Sequence, residues 1–152
     1  MIRGLVDQPR PQASSPSVRA RMEGQRRRDT KPEMTLRSAL WRSGLRYRVD
    51  LEVHGRRRRV DIAFTRRRLA VFVDGCFWHS CPEHGTVPKA NREWWKAKLE
   101  ANVTRDRATD VELRSIGWTV LRVWEHEDMA IVASQVEALL TCLSRRGNPR
   151  DV

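Results

Sequence analysis

Leu69-Ala70-Val71-Phe72-Val73-Asp74-Gly75-Cys76-Phe77-Trp78-His79-Ser80-Cys81-Pro82-Glu83-His84 is the stretch on which the reading of this chain turns. Leu69–Val73 is continuously apolar, short, and followed at once by an acid and a glycine. Such a run predicts a central strand buried on both faces, ended by Asp74. Behind it, residues 75–90 lose all apolar periodicity but carry two thiols and two imidazoles within nine positions. A buried strand that delivers a chemically loaded loop is the frame from which the rest follows.

Two more strands precede it. Tyr47–Val53 alternates Tyr47, Val49, Leu51 and Val53 with charged residues, and Arg59–Phe64 places Val60, Ile62 and Phe64 on one face. Asp61 then lies on the opposite face, so Asp61 and Asp74 are expected to meet where neighbouring strands run side by side. Upstream, Thr30-Lys31-Pro32-Glu33 is a capping box with proline in the first turn, and Leu36, Ala39 and Leu40 recur at helical spacing until Gly44. Downstream, Asn91–Ile116 reads as a long helix with Thr104 as its candidate break, followed by strand Thr119–Trp124 and an amphipathic helix carrying Val132, Val136, Leu139, Leu140 and Leu143. The order αβββαβα predicts an α/β fold, a mixed sheet flanked by helices.

With 152 residues the chain has room for one domain. Lys and Arg number 30 against 19 Asp and Glu, a net charge of +11, which points to a polyanionic partner. Residues 1–31 account for +5 of that and 32–152 for +6, so the folded part is basic as well as its leading segment. Residues 1–17, with Pro9, Pro11 and Pro16 and no periodicity, are expected to be a disordered arm. Residues 18–31 are read as a basic, DNA-contacting segment that orders on its partner, and 32–152 as the folded domain. No apolar run approaches the ~20 residues that span a bilayer, so a soluble, cytoplasmic protein with no membrane association is expected.

Three cysteines are an odd number, and two of them sit among histidines, a pattern of metal binding in a reducing compartment. Zinc takes four sulfur or nitrogen ligands in closed structural sites, so Cys76, Cys81, His84 and His126 form a sensible set. His79 remains as an alternative ligand or as a group for chemistry. Cys142, in the apolar closing helix, is read as a core residue. Asp61 and Asp74 could hold Mg²⁺ against a phosphate, although acids at strand ends are common without any such role. Six tryptophans are many for this length, and some are candidates for stacking on bases.

Taken together, Val71–His79, Pro88-Lys89, Asn102-Val103-Thr104-Arg105-Asp106-Arg107 and Gly117–Glu125, in this order, resemble the very-short-patch-repair (Vsr) DNA mismatch endonucleases over about residues 18–143. The resemblance implies a zinc-containing restriction-endonuclease-like fold and a Mg²⁺-dependent enzyme. Such an enzyme nicks double-stranded DNA 5′ of the thymine in a T:G mismatch and so initiates repair of deaminated 5-methylcytosine. It further implies a functional link to a cytosine-5 DNA methyltransferase, with the enzyme acting as a monomer. By resemblance, Asp61 and the backbone carbonyl of Val73 hold Mg²⁺, His79 stands at the scissile phosphate, and Glu33 supports it. Phe77, Trp78 and Trp95 correspond to an aromatic wedge beside the mismatch, Met22 enters from the other groove, and Lys89 and Asn91 are further DNA contacts. Asp74 stands where a family member has histidine, and is carried as a fourth catalytic candidate. His126 stands where the last zinc ligand can be cysteine. A zinc-stabilised DNA-binding module, or a nuclease of the same fold with another target, are the alternatives at this stage.

Overall fold

The computed structural model describes residues 9–25, 28–53 and 58–146. The first part of the expected arm, two residues of the basic segment and the last six residues of the chain lie outside that description. The elements are α1 (Pro16–Gly24), α2 (Lys31–Arg42), β1 (Arg48–Glu52), β2 (Arg59–Phe64), β3 (Leu69–Asp74), α3 (Arg92–Ser115), β4 (Thr119–Trp124) and α4 (Met129–Arg145). The strands form one mixed sheet in the order β1-β2-β3-β4, antiparallel except for the parallel pair β3–β4. The αβββαβα order is therefore observed, preceded by one further helix.

β3 is buried at all six positions, as a continuous apolar run in the middle of a sheet requires. On one face Ile62, Phe64, Val71 and Val123 pack against Leu36 and Leu40 of α2 and Val132, Val136 and Leu140 of α4. On the other, Ala70 and Phe72 pack against Leu113 and Trp118. Helices thus cover both faces of the sheet. Val60 belongs to the second cluster and not to the row of Ile62 and Phe64. Asp50, which the register would set opposite Asp61, adopts φ 51° and drops out of the β1–β2 pairing, so strict alternation fails there.

Half of the capping box forms: the Thr30 hydroxyl accepts from the Glu33 amide, while the Glu33 carboxylate accepts from the Asp29 amide in place of that of Thr30. α1 is helical, capped by Ser15 with Pro16 in its first turn, and buries none of its residues. α3 runs unbroken through Thr104, whose hydroxyl donates to the Glu100 carbonyl and stays inside the helix. It ends at Gly117, whose φ of +87° suits glycine. Cys142 is exposed and is not a core residue, because α4 turns Val136, Leu140 and the half-buried Leu143 inward and leaves Cys142 on its outer side. No helix among the described residues is long and apolar enough to cross a membrane.

Candidate active site and metal centre

The β2–β3 ladder stops at Ile62–Val71, and the strands part beyond it. Asp61 fills the gap, its Oδ2 accepting from the Val73 amide at 2.9 Å. Oδ1 has no hydrogen-bond partner among the described residues. Burial pushes the Asp61 carboxyl up to about 7, the Val73 amide pulls it down, and the charges of Glu33 and Asp74 raise it again. A carboxylate that is this costly to ionise, facing two other acids, is short of a cation.

Glu33 is 3 % exposed. Its Oε2 accepts from the Asp29 amide at 2.9 Å and from Arg37 Nη2 at 3.2 Å. The capping glutamate is therefore also held rigidly beside the parted strands.

Asp74, at the end of β3, is also buried, which raises its pKa against the pull of His79 and Arg122. Arg122 Nη1 donates to both of its oxygens, at 2.9 and 3.2 Å. The same guanidinium donates from Nε to Asp110 at 2.8 Å and lies 4.2 Å from the centre of the Phe72 ring. Arg122 thereby clamps β3 and β4 to α3.

His79 is aimed by α3. Its Nδ1 lies 2.5 Å from Asp106 Oδ2 and 3.7 Å from Asp74 Oδ1. An ionised carboxylate only accepts, so Nδ1 carries the hydrogen and Nε2 is free. Burial pushes the imidazole down, yet the Asp106 hydrogen bond and the charges of Asp74 and Asp106 outweigh it and raise the pKa. Burial likewise raises Asp106, but His79, Arg122 and Arg58 together bring it below the usual carboxylate range.

Of these groups Glu33, Val73, His79 and Asp106 line a cleft of about 400 Å³, together with Trp78 and, from α1, Met22, while Asp61 lies behind the Val73 it bonds and is not itself in the lining. Lys98, Asn102 and Arg105 line it as well. Sequence reasoning did not single out these three or Asp106 as site residues, although Lys98, Asn102, Arg105 and Asp106 recur at helical spacing along one face of α3. Asn102 donates to the Trp78 carbonyl at 3.0 Å and accepts from Arg105, which ties loop to helix. Burial and the neighbouring Arg58 lower the pKa of Arg105.

Phe77 and Trp78 meet edge to face at 5.0 Å, and Trp95 contacts them at 5.5 and 6.0 Å. Phe77 and Trp78 are half-buried, whereas Trp95 is 6 % exposed and backs them from α3. Asn91 borders a second cavity, of about 670 Å³, with Met22 and Trp95. Lys89 is exposed, and neither Lys89 nor Asn91 lines the cleft of Asp61's neighbours.

The loop after β3 closes on itself: the His79 amide donates to Gly75 O and the Cys81 amide to Cys76 O, with Ser80 at φ 55°. Gly85 then donates to Cys81 O at 2.8 Å, an approach in which a Cβ would sit 2.4 Å from that oxygen. The result gathers Cys76, Cys81, His84 and His126, whose ligand atoms all lie within 4.8 Å of one another. Cys76 Sγ is 3.1 Å and Cys81 Sγ 3.8 Å from His126 Nδ1. Tetrahedral coordination at ~2.0–2.3 Å needs ligand separations of roughly 3.3–3.8 Å, so this set fits a metal ion. Burial, then the neighbouring Cys81, push the Cys76 thiol up to about 11, a cost that a bound cation removes. His79 is turned to Asp106 and is not among these four residues.

A family model described as DNA mismatch endonuclease Vsr matches residues 14–83. The type II nicking enzyme V.NaeI of Lentzea aerocolonigenes is 50% identical over 122 residues, 78% of this chain and 74% of that one. The type II nicking enzyme V.XorIIP of Xanthomonas oryzae is 36% identical over 124 residues, 78% and 88% of the two chains. The DNA mismatch endonuclease Vsr of Escherichia coli K12 is 40% identical over 103 residues, 64% and 62% of the two. With relatives of this identity and coverage, and with the fold and metal-ligand cluster in place, this chain belongs to the Vsr family of DNA endonucleases.

Proposed function

We propose that the chain is a Mg²⁺-dependent, strand-nicking endonuclease that cuts double-stranded DNA 5′ of the thymine in a T:G mismatch. In this reading it starts very-short-patch repair of 5-methylcytosine deaminated at the sites of a cytosine-5 methyltransferase, working as a cytoplasmic monomer on a restriction-endonuclease-like scaffold. The observation that supports it best is the convergence of Asp61, Glu33 and the Asp106-held His79 on the parted end of the sheet, beside a pair of half-buried aromatic rings.

Asp61 and the carbonyl of Val73 are the groups that would hold Mg²⁺. When bound, that ion supplies a polarised phosphate and an acidified water. Asp61 contributes the negative charge, already aligned by the Val73 amide, and Glu33 holds the cap of α2 against it. His79 presents Nε2 while Asp106 fixes the tautomer, so it can move a proton at the phosphate without first reorienting. Asp74, bound through both oxygens to Arg122, is a structural counter-charge in this scheme. Phe77 and Trp78 offer the faces that recognise a weakened base step, since unstacking costs least at a mispair, and Trp95 braces them. Met22 faces them from α1. The donors Cys76, Cys81, His84 and His126 suit Zn²⁺, which would tie the loop to the end of β4.

A panel of end-labelled duplexes carrying T:G, T:A, C:G or A:C at one position, incubated with Mg²⁺ and with EDTA, tests the reading. Mg²⁺-dependent nicking of the T strand in the T:G duplex alone is expected. Binding without nicking would reduce the chain to a DNA-binding module, and equal cutting of matched duplexes would remove mismatch specificity.

A further inference from the structure

Three segments converge at the end of the sheet opposite the cleft. The turn after α2 leads into β1, whose Arg48 pairs with Ala63 next to the β2–β3 turn. That turn in turn touches the α3–β4 connection: Arg68 Nη1 donates to Ile116 O at 3.3 Å, and the Thr119 amide to Arg68 O at 2.7 Å. Segments 41–47, 65–68 and 114–118 hold Arg42, Arg46, Arg66, Arg67, Arg68 and Arg114, and no aspartate or glutamate.

Five of these six arginines are exposed, Arg68 being half-buried. Among the described residues none of the six lies within ion-pair distance of a carboxylate, in contrast to Arg37, Arg59 and Arg122 nearer the cleft. Arg46 is stacked 3.6 Å over Trp41, which is itself 55 % exposed, so an aromatic face adjoins the patch. Six guanidiniums with no carboxylate in ion-pair reach among the described residues repel one another, and they persist most readily where a polyanion neutralises them. The five steps from Leu69 to Asp74 put about 17 Å of sheet between this end and the cleft. None of the six arginines lines the cleft.

We propose that this arginine-rich end is a second DNA-binding surface, which takes the phosphate backbone of another duplex segment without reading its sequence. Guanidiniums on three separate turns can straddle a phosphate row, and the contacts carry no base information. The chain would then bridge two DNA segments, one in the cleft and one at its back. The proposal depends on the DNA-acting family and not on the mismatch specificity of the cleft.

The test loads the full chain, without added Mg²⁺, onto an immobilised T:G duplex at equimolar ratio, washes, and offers a fluorescent matched duplex. The wild type is expected to capture it at 50 mM salt. Four phosphate contacts with a slope of ~0.9 each predict about a hundredfold loss of that capture on raising salt to 200 mM. The variant R42Q/R66Q/R67Q/R114Q should capture at least tenfold less while nicking a short T:G duplex at the wild-type rate, which also verifies its fold. The corresponding lysine variant, with charge retained, should capture nearly as well as the wild type. Absence of capture by the wild type, equal capture by the glutamine variant, or capture of single-stranded RNA but not of duplex DNA would each overturn the proposal.

Discussion

Replacing Asp61 by asparagine should stabilise the Mg²⁺-free protein, and by an amount that grows with pH. The buried Asp61 carboxyl titrates near 7 in the folded chain against 3.8 in an unfolded one. A group whose folded pKa is raised contributes its full stability below the unfolded value and loses it as pH rises through the folded value. The window is therefore about pH 4 to 7. The gap is roughly 3 pH units, and at 1.36 kcal/mol per unit the ionised side chain costs the fold about 4 kcal/mol above pH 7. Asparagine has nearly the same volume and its carbonyl can still accept from the Val73 amide, so it escapes most of that cost. Urea melts of wild type and Asp61→Asn, both with zinc bound, from pH 4 to 8.5 read the difference directly. The variant should match the wild type near pH 4 and exceed it by 2–4 kcal/mol at pH 8. Added Mg²⁺ should then raise the wild type and leave the variant unchanged. A difference that is flat with pH, or a variant less stable at pH 8, would show that Asp61 is not an anion waiting for a cation.

Asp106→Asn removes the charge that holds His79; losing a hydrogen bond of that kind costs about 1.5–3 kcal/mol, so single-turnover nicking should fall roughly ten- to 150-fold. Duplex affinity, measured by fluorescence anisotropy on the same sample, should stay within about twofold, because the basic and aromatic side chains around the cleft are left in place. Elemental analysis should find one zinc per chain, sharply reduced in His84→Ala and retained in His79→Ala; the opposite result would exchange the two histidines. Arg122→Gln leaves the buried Asp74 without its partner and should cost about 3 kcal/mol in chemical denaturation, most of it recovered in the Asp74→Asn/Arg122→Gln double variant. Failure of that recovery would mean that Arg122 matters through the Phe72 ring and α3 and not through Asp74.

Much of this architecture could be read from local pattern. Thr30 and Glu33 announce α2 because a cap is a short-range event, and Leu69–Val73 announces β3 because a strand buried on both faces needs no alternation. The Cys76, Cys81, His84 and His126 set was readable from donor chemistry alone, but the rival claim of His79 was not. Asp106, 27 residues away along the chain, holds His79 apart from that set. Arg122 was invisible for the same reason: its partners Asp74 and Asp110 are brought to it by the parallel β3–β4 pairing and by α3, and nothing in its neighbourhood in sequence marks it out. Cys142 sits between Leu140 and Leu143 in an amphipathic helix, and an apolar neighbourhood in sequence does not show that it falls outside the buried stripe. Composition alone could not show that Trp95, 6 % exposed, packs from α3 against the half-buried Phe77 and Trp78.

The measurement that bears most directly on the account is nicking with Mg²⁺ and binding in EDTA by wild type and Asp61→Asn, side by side, on one T:G duplex, with the cut position mapped on both strands. The wild type should cut only the T strand, on the 5′ side of the mispaired thymine. In EDTA the variant should bind the same duplex at least as tightly, because a carboxylate facing a phosphate is gone, and with Mg²⁺ it should cut it slower by orders of magnitude. A variant that nicks at the wild-type rate, or a wild type that cuts T:G and T:A duplexes alike, would contradict the account.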